Sequence, residues 1–364
     1  MLLLDRADFS LAQRSEDVLA RLSDGLSAHV SLETHAAVIE LFTGVHADVA
    51  GAVSELAALR ARLAGELGAM GLAAASAGTY PLACPEVRVS GSRRYRAIAE
   101  SMRSLARREP TLALHVHVGV PDPEDAVRLL NGLRDVVPLL VALSANSPFS
   151  HGRDTGFASA RTVIFQGFPR TGPPRWFADY ADYVEVVDGL IRPGAVPDPS
   201  FLWWDVRLQP ALGTVELRAM DAQTSIPDTA ALVALVRSLA RLELEGSPAA
   251  GAVSREVLAE NRFLAARDGL DARLIDPAAG RLVPARALLD TLVARCRADA
   301  DSVAALGLDQ VMRLAIGGGA ARQRAVVSDH GLAGLVLSLA RRFAASGHRP
   351  RRAAPTPARQ GALR

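Results

Sequence analysis

The order of segments along this chain predicts an α+β fold, with a mixed or antiparallel sheet and helices packed on one of its faces. Two observations carry that reading. Strand-like and helix-like stretches follow one another in mixed order, whereas a doubly wound parallel fold requires strict alternation. In addition, the runs Leu114-His115-Val116-His117-Val118-Gly119 and Val215-Glu216-Leu217-Arg218 alternate apolar with polar residues. In an extended chain each run sets its two polar side chains on one face, roughly 6.5–7 Å apart.

Taken in order, short runs bounded by turn residues predict strands over 35–41, 72–77, 112–120, 159–165, 201–208 and 214–220. A helix is expected over 48–70, where Val49, Val53, Leu56, Leu59, Leu63 and Leu67 recur at spacings of three and four, Asp48 can cap and Gly71 can stop. Pro121-Asp122-Pro123-Glu124-Asp125 opens a second, with Asp122 as cap, Pro123 at the first helical position and two acids near the positive helix end; it runs to about 145. Further helices are expected over 95–108, 178–190, 228–245, 254–268, 284–298 and 332–345. Gly246-Ser247-Pro248-Ala249-Ala250-Gly251 reads as a linker inside a single domain spanning 1–349, between a sheet-bearing part (1–245) and a helical part (252–349). Residues 350–364 are rich in Arg, Pro and Ala without apolar periodicity, which predicts a disordered, solvated tail.

Composition excludes several mechanisms. All 41 Lys+Arg residues are arginine, so a Walker-type phosphate loop and Schiff-base chemistry, which both require a lysine amine, are ruled out. A net charge of +2 gives no global field for nucleic acid or membranes. Cys84 and Cys296 lack any C-x-x-C partner and read as reduced thiols. Met1-Leu2-Leu3-Leu4 is too short for a signal peptide and no apolar stretch reaches membrane-span length, so a cytoplasmic location is expected.

Imidazole and carboxylate are ligands for a divalent cation, and a neighbouring guanidinium binds carboxylate or phosphate in bidentate fashion. His115, His117, Glu216 and Arg218 thus suggest phosphoryl or acyl-phosphate chemistry. By itself an H-x-H is equally a pair of satisfied strand imidazoles, and an E-x-R is equally an in-strand ion pair. No third histidine or acid follows at hydrolase-like spacing, which disfavours a metal hydrolase, and His151 falls in a Gly/Asp loop that faces solvent.

Other segments join these in chain order: Ala77-Gly78-Thr79-Tyr80-Pro81, Ser147-Pro148-Phe149, Asp154-Thr155-Gly156-Phe157-Ala158-Ser159-Ala160-Arg161-Thr162, Pro169 to Gly172, Trp203-Trp204-Asp205-Val206-Arg207, and Gly213-Thr214-Val215-Glu216-Leu217-Arg218-Ala219-Met220-Asp221. Together they resemble the carboxylate-amine ligase family of type 2 glutamate–cysteine ligases, over roughly residues 30–330. The resemblance implies a glutamine-synthetase-like catalytic fold, a curved and mainly antiparallel sheet forming a funnel with helices outside. It implies ATP and Mg2+ as cofactors, small-molecule substrates as partners, and an amide formed through an acyl phosphate, provisionally from glutamate and cysteine. A homo-oligomer is compatible with it.

Carried over by position, the resemblance makes Glu40, His115 and Glu216 metal ligands. It places His117, Arg207 and Arg322 at the nucleotide, and assigns Arg218 and Arg161 to the reacting carboxylate or phosphate. Asp154 and Asp205 read as orienting or turn-capping residues. The segments Glu260-Asn261-Arg262 with Arg267, and Gly317-Gly318-Gly319 with Arg322-Gln323, resemble family segments near the site, the glycines permitting close backbone approach. The family opens on a strand of the form Gly-Val-Glu-Glu-Glu-Phe that supplies further metal ligands, and Met1-Leu2-Leu3-Leu4-Asp5 reads like the end of that strand. A start placed too late and a paralogue that has lost part of its metal site are the two accounts. Magnesium needs near-octahedral oxygen coordination, so the second implies weak or no turnover. The competing functions are accordingly a catalytically impaired protein that binds nucleotide or amino acid, and a guanidino kinase on the same fold.

Overall fold

The computed structural model describes residues 1–84, 86–246, 253–298 and 302–345. The linker positions 247–251 and the tail 350–364 lie outside these described residues. The strands form a succession of short antiparallel ladders. Val30–Leu32 pairs with Ile39–Leu41, and Leu2–Asp5 pairs with Leu72–Ala75. Ala113–Gly119 pairs with Thr214–Asp221, which in turn pairs with Val206–Gln209. Isolated bridges, Leu2 with Val38 and Thr79 with Thr111, join the pieces into one strip.

Period-two alternation decides the layers. Val116, Val206, Leu208, Val215 and Leu217 lie in the main core with Leu130, Leu133, Val137 and Leu140 of the helix Pro123–Ser144 and with Leu232, Leu235 and Leu239 of Ile226–Glu245. Each fully buried aliphatic side chain contributes about 1.5–3 kcal/mol. The opposite face carries His115, His117, Glu216 and Arg207, because Arg207 stands directly across from Glu216 and Glu216 directly across from His117. A second core forms where Leu2 and Leu4 meet Leu335, Val336 and Leu339 of the helix Gly319–Ala345.

Helices begin where capping residues stand. Asp48 accepts from the Gly51 N–H ahead of Val49–Ala69, and Asp122 accepts from the Glu124 and Asp125 N–H groups. Gly71, at φ 74°, ends the first of these in the left-handed region. The expected strand 159–165 is a helix, Ala160–Phe165, because the Ser159 side chain caps the Thr162 N–H. The stretch 35–41 is regular only over Ile39–Leu41, and 201–208 divides into a 3-10 turn Pro199–Phe201 and the strands Trp203–Trp204 and Val206–Gln209. The expected helix 332–345 follows a break at Gly331, whose φ of 67° is not helical, and the helical stretch from Gly319 up to that break had no expected counterpart. Ser15–Arg21 and Ser302–Ile316 are helices without a counterpart among the expected elements.

Candidate active site

Glu40 and His115 belong to different ladders, with Leu2–Asp5 and Leu72–Ala75 between them. In a flat strip their strands would stand about 14 Å apart. Yet Glu40 Oε1 lies 3.8 Å from His115 Nδ1, and Glu216 Oε1 lies 3.6 Å from the same nitrogen. The strip must therefore curl, and its polar face becomes a concavity where Glu40, His115, Glu216 and Arg218 meet.

Glu216 is the hub. It is 1% exposed, and its carboxylate accepts from Arg207 Nε at 2.7 Å, Gln209 Nε2 at 2.6 Å and Arg218 Nη1 at 3.1 Å. Burial alone would raise its pKa, but the Arg218 and Arg207 guanidinia, both donating to it, override burial and hold the carboxyl well below the usual carboxylate range. His115 is held neutral, first by burial and then by Arg218, with Glu216 opposing. Glu40 behaves oppositely to Glu216: desolvation raises its pKa and the neighbouring charge of Glu33 adds to the rise, while Ser31 Oγ donates to it at 3.2 Å and opposes. Its side chain remains 43% exposed, open to a ligand.

The arginines divide by what they have left to give. Arg207 donates to Glu216 and, through Nη1, to the carbonyls of Ser200 and Leu202 at 2.8 Å each. Arg161 is buried and donates to the carbonyls of Ala219 and Arg218. Both guanidinia are engaged within the protein. Arg218 differs: among the described residues its guanidinium makes one hydrogen bond, from Nη1 to Glu216, against two for Arg161 and three for Arg207; its Nε is buried without a partner, as is that of Arg161. Burial first, and then Arg207, lowers its pKa to about 10, so it stays charged at neutral pH.

Of the residues expected at the site, Glu40, His115, Glu216, Arg218 and Arg207 converge. His117 stands exposed at the rim, hydrogen-bonded through Nδ1 to Thr214 Oγ1 at 2.9 Å. Arg322 is bound elsewhere, to Asp228 Oδ2 at 2.6 Å and to the Gly317 carbonyl. The glycine run makes its close approach to protein: a Cβ at Gly319 would collide with the Asn146 side chain. Asp205 holds Arg262 in an ion pair at 2.8 Å, and Asp154 pairs with Arg324 at 2.8 Å. His151 is exposed, as expected, but contacts Glu109. Sequence reasoning missed Gln209, Glu33 and the structural role of Asp221. Strand alternation alone would have found Gln209, two residues beyond Arg207 on one face; Glu33 lies outside any regular strand and left no such signal.

Among the described residues, no group of three or more His, Cys, Asp or Glu side chains is set to hold a metal ion as a closed cage. Glu216 explains this, since its oxygens are taken by three donors. Magnesium, however, is usually bound by one or two carboxylates together with substrate phosphates. The half-open Glu40 carboxylate, with like charge beside it, fits that mode.

A family model for glutamate-cysteine ligase family 2 matches residues 1–337. The chain belongs to this family. A relative from Rubrobacter xylanophilus, named "Putative glutamate--cysteine ligase 2-1", is 40% identical over 336 residues, covering 90% of this chain and 89% of its own. The fold is similar to that of a glutamate–cysteine ligase from Francisella tularensis solved with AMP, at TM-score 0.70 and 13% identity over 95% of this chain and 87% of that one. It is also similar to a bifunctional glutathione synthetase from Pasteurella multocida, at TM-score 0.64 and 12% identity over 88% and 48%. Members of the family are ATP-dependent carbon–nitrogen ligases, and the α+β fold with open antiparallel ladders agrees with both structures. Among the described residues no helix is long and apolar enough to cross a membrane.

Proposed function

We propose that this chain joins a carboxylic acid to an amine at the expense of ATP through an acyl phosphate, with glutamate as the acid and cysteine as the amine. One observation carries the reading: the sheet curls to bring Glu40, His115, Glu216 and Arg218 together, and the Arg218 guanidinium makes a single hydrogen bond there among the described residues. The acid's carboxylate oxygen attacks the γ-phosphorus and ADP leaves. The amine nitrogen then attacks the acyl carbon, inorganic phosphate leaves, and the nitrogen gives up a proton.

Each residue contributes by position and charge. Arg218 meets the carboxylate or the transferring phosphoryl oxygens with its free guanidinium edge. Glu216, locked as a carboxylate, aims Arg218 and Arg207 together. His115, kept uncharged, adds no positive charge that would compete for Glu40. Glu40 and the ATP phosphates would hold Mg2+, which when bound neutralises charge on the phosphate oxygens. His117 at the rim is placed to meet the nucleotide, and Arg207 supports that region from beneath.

The test is ADP release by the purified full chain with ATP and Mg2+. Release should require an acid and an amine together, and γ-glutamylcysteine should appear by mass spectrometry. ATP bound by calorimetry with no ADP formed for any pair in a panel of amino acids and amines would refute the reading. A stable phosphorylated product formed without an amine would point to phosphotransfer to a guanidine instead.

A further inference from the structure

The ladder between Ala113–Gly119 and Thr214–Asp221 is interrupted where the site needs it. Leu217 pairs with Val116 and Met220 with Leu114, so Arg218 and Ala219 together stand opposite the single residue His115. Such a bulge bends the strand, re-aims side chains and frees backbone groups from the ladder. The freed carbonyls are both collected by Arg161, whose Nη2 donates to the Arg218 carbonyl at 3.0 Å and whose Nη1 donates to the Ala219 carbonyl at 2.8 Å. From the other side, the Arg218 N–H donates to the Asp205 carbonyl at 2.9 Å.

The clamp is itself anchored. Arg161 is 3% exposed and lies 3.8 Å from Asp221, a carboxylate that accepts from the Asn146 N–H at 2.8 Å, Ser147 Oγ at 2.6 Å and Ser159 Oγ at 2.8 Å. Gly78 closes the other side of Asp221, since a Cβ there would come within 2.8 Å of its carboxyl carbon. Ser159 also caps the short helix from which Arg161 projects. Helix start, buried acid and bulge form one connected unit.

We propose that Arg161 is a positioning residue for the ligation: its two-pronged grip on the bulge fixes the direction in which Arg218 points into the concavity. The proposal rests on the reading that Arg218 meets substrate. A guanidinium spans two adjacent carbonyls with a planar fork, whereas the compact ammonium of lysine does not reproduce that fork. Arg161→Lys thus retains the charge opposite Asp221 and removes the geometry. A displacement of about 1 Å at a reacting group costs on the order of 100-fold in rate.

The experiment is a double-mutant cycle with Arg161→Lys, Arg218→Lys and the pair, read by steady-state kinetics and by the 15N resonance of the Arg218 Nε–H group, assigned by its loss in Arg218→Lys. Arg161→Lys should lower kcat/KM by roughly 10- to 100-fold, in the same kinetic constant that Arg218→Lys changes, and the pair should be no worse than Arg218→Lys alone. The Arg218 Nε–H resonance should shift and exchange faster with solvent in Arg161→Lys. Additive losses, or an unmoved resonance, would overturn the proposal. Wild-type protein that releases no ADP with acid and amine would refute the ligase reading separately, and the resonance would still decide whether Arg161 fixes Arg218. Should Arg161→Lys fail to fold, Asp221→Asn, which removes the charge that anchors Arg161, is judged by the same two measurements.

Discussion

Replacing Glu216 by glutamine strikes the hub of the site while keeping its shape. The native carboxylate is 1% exposed and accepts three hydrogen bonds, from Arg207, Gln209 and Arg218. An amide keeps one acceptor oxygen and turns the other position into a donor, so at least one arginine or Gln209 then faces a donor. Arg207 and Arg218 also lose the carboxylate they share. Breaking a buried ion pair from one side costs about 3–5 kcal/mol. Unfolding entropy of about 2.1 cal/mol/K per residue gives about 0.75 kcal/mol/K for 364 residues, so the melting temperature should fall by about 4–7 °C. Calorimetric melting of Glu216→Gln against wild type measures this directly, and kcat/KM should fall by about 100-fold or more as Arg218 loses its guide. A melting temperature within roughly 1 °C of wild type would show that the arginines do not depend on Glu216, and the account of the site would fail.

Three further outcomes follow from the same geometry. Arg218→Lys keeps the charge but not the fork, and should lower kcat/KM by about 100-fold while melting within about 2 °C of wild type; unchanged kinetics would remove Arg218 from the reaction. Glu40→Gln, at a side chain 43% exposed, should leave melting nearly unchanged yet raise the Mg2+ concentration for half-maximal rate by about 10-fold, and an unshifted Mg2+ titration would exclude Glu40 as a ligand. Asp135 is pushed up from 3.8 to about 6 by burial, despite the opposing Arg134 charge, with Glu243 adding to the rise. Between those values the folded state holds more protons than the unfolded one, so stability falls as pH rises through the window. Wild-type melting should then fall between about pH 4 and pH 6, and Asp135→Asn, which also deprives the buried Arg134 of its acid, should flatten that pH dependence whatever its absolute stability; equal slopes in the two proteins would refute this.

Much of this was legible because periodicity and capping are local. Asp48, Asp122 and Gly71 marked helix ends by their own chemistry, and alternation placed His115 with His117 and Val116 with the core. The expected strand at 159–165 failed for a physical reason. Thr162, Val163, Ile164 and Phe165 have strand propensity, but the Ser159 cap and the demand of Arg161 for the bulge carbonyls favour a helical turn there. Strict alternation also could not reveal the bulge at Arg218 and Ala219, which depends on the pairing partner and not on the strand's own sequence. The resemblance named Arg161, Arg207, Arg218 and Arg322, yet it could not tell which are held by the protein itself or that Arg322 is bound elsewhere. That depends on long-range carbonyls such as those of Ser200, Leu202 and Ala219.

Under the proposed ligation, the distribution of charge sets Arg218 apart from the other arginines of this cluster. Arg262 lies against Asp205, and Arg161 against Asp221, so each of those buried guanidinia has an acid of its own. Arg207 and Arg218 must share Glu216, and Arg207 takes the shorter contact, 2.7 Å against 3.1 Å. The surplus positive charge therefore rests on Arg218, whose guanidinium makes a single hydrogen bond among the described residues, to the carboxylate it shares. A buried cation left under-compensated is costly unless a ligand completes it. A carboxylate or phosphoryl group arriving at Arg218 would supply that missing charge, and Glu40 across the concavity would draw in the cation that accompanies a nucleotide.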